Sequence, residues 1–469
     1  MNKILTLIIT LIISSSSFAQ LPNGNMHLIA NIDDYAIPPQ FGAPWNYAAI
    51  WGYVAPDNRE YAILGAALGP VFYDVTDSSN ITEIAAFIMI DSMHAPDQGN
   101  LWREMKVYSH YAYVVSEADT SGVKIFDLQY LPDSVRYVGK FLAPGHSSTH
   151  SISQSGPYLY LNGANAGFGH GTVVLDLSVD PENPTVRGKW NNHYVHDARI
   201  IDDTIYAACI NDGYLSVIDA TNKDSLKLVH EWLNLPNPST HNSALTVDKN
   251  YIMTTDEVGA LPRLLKVWDI QDIQNPVQVA TWQPTGITTA RIHNIEIYGD
   301  TAVIAHYTAG VYVLDISDPE NPVQIAWYDT HPQNNNSDYA GCWGVFKFPS
   351  GKIVASDMNR GLFVLGFGNS VGITNNSSLV DGFELKQNYP NPFNPSTEIN
   401  FSIPKSADVS LKIYDANGKE IAQLINGYMQ SGSHSVTFET AKLKLASGVY
   451  FYTLTAGELS QTKKMLLVK

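Results

Sequence analysis

Apolar and polar residues along this chain alternate in short blocks broken by Gly, Asp, Asn and Pro. No stretch shows the three-to-four-residue spacing of an amphipathic helix. The clearest block is Gly310-Val311-Tyr312-Val313-Leu314-Asp315-Ile316-Ser317-Asp318-Pro319. A glycine opens it, an apolar β-branched run follows, an aspartate closes it, and a turn comes next. The phrase recurs with closing aspartates at Asp74, Asp127, Asp176, Asp219, Asp269 and Asp315, and a seventh copy over 361–366 ends in Gly366 instead. Successive copies are 43 to 53 residues apart. That period, built from β-type runs, is expected of four-stranded propeller blades.

Each unit resolves into four strands. In the sixth they are predicted over 292–298 (A), 301–305 (B), 310–316 (C) and 323–327 (D). Asp318-Pro319-Glu320-Asn321-Pro322 and its copy Asp180-Pro181-Glu182-Asn183-Pro184 punctuate the C–D turns, where proline blocks pairing beyond an outer strand. The closing aspartates are expected to cap these turns by accepting backbone N–H bonds. Seven C strands predict seven blades, and the seventh lacks a D strand. Residues 25–31 mirror 321–327, so the N-terminal segment is predicted to supply that strand and close the ring, which removes an open sheet edge. Residues 383–469 form a second set of short strand signals, expected to fold as a small immunoglobulin-like sandwich. The predicted fold is therefore all-β: a seven-bladed propeller over 20–367, a polar linker over 368–382 and a C-terminal sandwich.

The N-terminus reads as a secretory signal over 1–19. Lys3 precedes the apolar run 4–13, and Ser17-Phe18-Ala19 is a small-x-small cleavage site. Ten apolar residues are about half of what a bilayer requires, so no transmembrane segment is predicted. Two cysteines, Cys209 and Cys342, do not make a disulfide framework in an exported chain of this size and are read as free and buried.

The phrases over 313–322 and 174–181 resemble the LVIVD repeat, and residues 25–367 resemble the exported choice-of-anchor B family of surface proteins. The segment 388–395 (NYPNPFNP), then Ser447-Gly448-Val449-Tyr450, then Lys463-Lys464-Met465 near the end resemble the C-terminal sorting domain of the type IX secretion system. That resemblance implies passage through the outer membrane of a Bacteroidetes-like bacterium, with the secretion machinery as a partner of residues 383–469. It also implies a secreted or surface location. The LVIVD resemblance implies no particular activity.

The formal net charge is −17. Residues 383–469 hold nine Lys against seven Asp plus Glu, and Lys3 adds one positive charge, which leaves −20 for residues 20–382. An acidic body excludes nucleic acid as an expected partner and is compatible with cations. The chain is expected to be a monomer.

Alignment of the blades brings one position at the head of each A strand into register: Trp51, Trp102, His150, His196, His241, His293 and Trp343. Strand A is innermost in a propeller, so these side chains are expected to ring one mouth of the central channel. The B–C loops open on the same face and offer Glu117, Asp119, Asn162, Asp212, Asp256, Glu257, His306 and Asp357, with Arg103, Glu104, Asp197, Arg199 and Arg291 alongside. The expected ligand site comprises Trp51, Trp102, Glu117, His150, His196, His241, Asp256, Arg291, His293, His306, Trp343 and Asp357. His150, His196, His241 and His293 would serve as ligands if a divalent transition metal binds. His146 and His193 are expected to be exposed loop residues. Three functions remain open at this point: a surface binding scaffold, a metal-dependent hydrolase or lyase, and a structural surface protein whose ring only packs.

Overall fold

The computed structural model describes residues 23–36, 45–87, 89, 102–165, 167–367 and, apart from short breaks, 383–468. The signal expected over 1–19 and the linker expected over 368–382 lie outside the described residues. The chain divides into two compact units, Met1–Gly368 and Asn369–Lys469.

The first unit is a propeller of seven antiparallel blades. Blade one runs through Tyr47–Val54, Glu60–Ala66, Gly69–Asp74 and Thr82–Ala86. Blade seven takes Cys342–Lys347, Ile353–Asp357 and Gly361–Phe367, and its outer strand is Met26–Ile32, paired from Met26 opposite Phe367 to Ile32 opposite Leu362. The ring is thus closed by the N-terminal strand, as the sequence mirror predicts. Asn23–Gly24 adds a short fifth strand to blade six, where Gly24 lies opposite Trp327. A Cβ on Gly24 would fall 1.9 Å from the Trp327 ring, so only glycine fits there.

Burial is greatest in the middle strands B and C and falls to the outer edge. Every residue of Glu60–Ala66 is buried, whereas Thr82–Ala86 in the same blade is partly or largely exposed. The C–D pair carries a register shift in all seven blades, an extra residue that twists the outer strand away from flat edge pairing. The closing aspartates do what turn chemistry predicts. Asp74, Asp127, Asp176, Asp219, Asp269 and Asp315 each accept the backbone N–H two residues on, at 2.8–3.0 Å. Cys209 and Cys342 are free and buried.

The second unit is a sandwich. One sheet orders Glu384–Leu385, Ser396–Ile403 and Gly432–Glu439; the other orders Glu420–Met429, Ala407–Asp415, Gly448–Ala456 and Leu459–Leu467. Alternation along these strands turns Ile399, Phe401, Leu411, Ile413, Tyr452 and Met465 into one shared core.

Candidate functional site

Six of the seven aligned positions meet at the channel mouth. Ring centroids follow one another from Trp102 to Trp343 (4.8 Å), His293 (4.2 Å), His241 (4.3 Å), His196 (4.6 Å) and His150 (4.0 Å). Trp51 is not among them. Blade one joins strands A and B by the five-residue turn 55–59, whereas blade four uses the two-residue turn 202–203. Counting back from strand B therefore stops short of the head of strand A in blade one and lands inside the strand. Trp51 pairs with Ile63, deeper in the channel, with the Lys106 ammonium 3.4 Å from its ring centroid. Trp45, ahead of strand A, takes the place at the mouth, 5.6 Å from Trp102.

Four of the expected loop residues point elsewhere. Asn162, the last residue of strand B in blade three, is fully buried and bonded to Ser151, Ser153 and Thr172. Asp256, the last residue of strand B in blade five, faces the blade interior and is fully buried against Lys266 at 2.9 Å. Burial raises its pKa to about 6 against the pull of Lys266. Asp357 holds the same position in blade seven and accepts the backbone N–H groups of Asn359 and Arg360 at 2.9 and 3.0 Å. Strand alternation turns the last B residue inward, and the first loop residue emerges at the mouth. Glu117 and Glu257 are such first loop residues, after Ser116 and Asp256. Blade six breaks the pattern. His306 is buried among Trp282 and Tyr312, and burial lowers its pKa to about 4. Tyr307 follows in the left-handed region (φ 38), bridges Cys342 of the next blade, and presents its ring to the mouth.

Arg291 sits at the rim as a clamp. Its Nε donates to the Ser337 carbonyl (2.7 Å), its Nη1 to the Glu257 carbonyl (2.8 Å), and its guanidinium lies 4.1 Å over the Tyr339 ring. His146, expected to be exposed, is buried and stacked on Phe168 at 4.6 Å. His193 is half-buried, bonded to Asp212 at 2.7 Å.

The mouth is a cavity of about 230 Å³ lined by Trp45, Trp102, Trp343, Tyr307, Tyr339, Glu117, Glu257, His150 and His196. Trp45, Tyr307 and Tyr339 were not foreseen. Their sequence signal is no more than aromatic residues flanking recognised loops, and all three lie outside the A strands. Below the arc the channel continues into a second cavity of about 210 Å³, where Glu104, Lys106, Asp197, Arg199 and Glu296 converge. Burial raises the Glu104 carboxyl to about 7.

Hydrogen bonds fix the rings. His241 Nδ1 lies 3.2 Å from the His293 carbonyl, and His293 Nδ1 contacts the Trp343 carbonyl. A carbonyl only accepts, so in both rings Nδ1 carries the proton and Nε2 keeps a lone pair when the ring is neutral. Burial pulls the pKa of His241 down, and that of His196 and His293 far down; neighbouring imidazoles add to this for His196 and His293. His150 differs. Burial opposes its charged form, but its bond to Glu117 and that carboxylate's charge raise its pKa overall. Its Nε2 meets His196 Nε2 at 3.1 Å. Among the described residues, His196, His241 and Glu257 bring ligand atoms within 4.8 Å of one another. His150 and His293, expected as further ligands, stand outside that group.

Residues 291–330 match the LVIVD repeat, and residues 387–469 match the secretion system C-terminal sorting domain. The chain carries a type IX sorting domain behind an LVIVD-repeat propeller. This sorted propeller is accordingly a cell-surface or extracellular protein that engages the secretion machinery through its tail. No curated protein matches the chain. Similar solved structures include the WD40 β-propeller domain of Doa1 (11% identity, TM-score 0.47, covering 74% of this chain and 98% of that one). Another is PorZ, a surface component of the type IX secretion system of Porphyromonas gingivalis (13% identity, TM-score 0.37, 90% and 68%). Among the described residues no helix is long and apolar enough to cross a membrane.

Proposed function

We propose that the sorted propeller is a surface binding scaffold, and that its ligand is a small cation with an apolar or aromatic face held in the channel mouth. One observation carries this reading: the mouth cavity combines five aromatic walls with two carboxylates, Glu117 from blade two and Glu257 from blade five. Aromatic faces attract cations through their quadrupole, and they do so most strongly where water is displaced. The net charge of −20 on residues 20–382 favours cations over anions as ligands. When protonated, His150 opposes a cation, but Glu117 is bonded to it and offsets that charge locally.

Titration of the full mature chain with benzyltrimethylammonium, followed by tryptophan fluorescence, tests the reading. Trp45, Trp102 and Trp343 report from the cavity itself. Saturable binding is expected, weakened about tenfold in Trp343→Leu, the size of one cation–π contact in a desolvated site. No saturable binding by the wild type, or wild-type affinity in both Trp343→Leu and Trp102→Leu, would sink it.

A further inference from the structure

At the floor of the mouth, the Nε2 of His241 faces the Oε2 of Glu257 at 3.5 Å. That is longer than the 2.7–3.2 Å of an N–H···O bond. The His241 Nδ1 proton is committed to the His293 carbonyl, so Nε2 of the neutral ring is an acceptor, and so is the carboxylate oxygen. Two buried acceptors held face to face repel unless something positive lies between them; His241 is 3% exposed and Glu257 8%. Two ligands of one tetrahedral metal, each bound at about 2.0–2.1 Å, stand roughly 3.3–3.4 Å apart. The observed separation is that of a ligand pair, not of a hydrogen bond.

Two independent features extend the pair into a site. His196 brings a ring nitrogen within 4.8 Å of both ligand atoms, from the neighbouring blade. The other oxygen of Glu257 accepts the Tyr307 hydroxyl, and the other nitrogen of His241 donates to a backbone carbonyl. Outer partners of this kind orient metal ligands and fix their tautomers. Each side chain is held on a different blade or loop, so the set is pre-formed by the closed ring.

We infer that His196, His241 and Glu257 form a three-ligand site for a divalent transition metal of the zinc or ferrous class, with its open position toward the mouth cavity. Two imidazoles and one carboxylate suit either ion. His150 and His293 stay outside the coordination shell. The inference rests on the mouth being a binding site; metal and organic cation would compete for Glu257, so the ammonium titration is read on the metal-free chain and the metal test uses no organic ligand. A metal result and an ammonium-probe result can therefore fail separately.

The mature full-length chain, purified without a histidine tag and stripped with chelator, is titrated with Zn2+ by calorimetry, and its metal content is measured after gel filtration. A second arm uses Fe2+ under anaerobic conditions, and Co2+ serves as a spectroscopic probe. One equivalent of metal is expected, with the intense visible bands of low-coordinate Co2+. The preferred ion in the two arms assigns zinc or iron. Tyr307→Phe is expected to lower affinity about 10–100-fold, as outer-partner losses do. Glu257→Gln keeps an acceptor for Tyr307 and should fold, yet lose the Co2+ bands; His293→Gln should keep them. No metal bound by wild type with an intact thermal transition overturns the inference. So does unchanged stoichiometry and affinity in folded Glu257→Gln and His241→Gln.

Discussion

The interior of blade five and the mouth it borders use the same residue types to opposite ends. Asp256 and Glu257 are neighbours in sequence, and a single step along the chain separates them. Inside the blade, Lys266 donates to the Asn234 and Asn237 carbonyls at 2.5 and 2.7 Å as well as to Asp256, so all three ammonium protons have partners. At the mouth, His241 Nε2 and Glu257 Oε2 keep lone pairs that no donor among the described residues satisfies. A polar group with its bonding capacity filled by its own blade is part of the architecture. One whose capacity is left open and held in place is available to something else. That distinction, and not residue type or loop position, separates site from scaffold here.

The largest effect should come from the satisfied side. Lys266→Met strands Asp256 without a partner and should destabilise the propeller by about 3–5 kcal/mol, measured by denaturant unfolding. Probe binding by the folded fraction should be unchanged; a mouth defect in this variant would erase the contrast between interior and mouth. Tyr307→Phe comes next. It removes a donor from buried Glu257 and should cost about 1–3 kcal/mol without metal, with the loss reduced when metal is added. An identical loss in both conditions would show that Tyr307 serves packing alone.

The smallest effect concerns Glu117, whose side chain is 37% exposed. The folded pKa of His150 is raised, so the pair stabilises the fold fully below the unfolded value of about 6.5. That contribution is lost as pH rises through the folded value. Glu117→Gln should lower stability by less than about 1 kcal/mol, at acidic to neutral pH only. It should also shift the His150 imidazole titration, followed by NMR, downward. An equal loss at high pH would mean the contact is not ionic.

Much of the architecture is local and therefore legible. Glycine at the head of strand C, aspartate at its end and Asp-Pro turns act within a few residues, so their spacing alone counts the blades. The mirror between 25–31 and 321–327 is enough to place the closing strand, because a D strand has the same pattern wherever in the chain it originates. The site was only partly legible. The heads of strand A were readable in six blades, since alternation sends them to the channel. Trp51 was misplaced by three extra residues in one turn, and His306 by one left-handed residue after it.

The sequence by itself determined the repeat, the closure, the turn caps and the histidine run at the heads of strands A in blades three to six. Only the tertiary structure decided that Glu257 rather than Asp256 meets that run, and that Tyr307 and Trp45 join it. The reason is geometric. A one-residue shift at a strand end turns a side chain through half a revolution, and which way it finally points depends on pairing with the neighbouring blade, which no local pattern records.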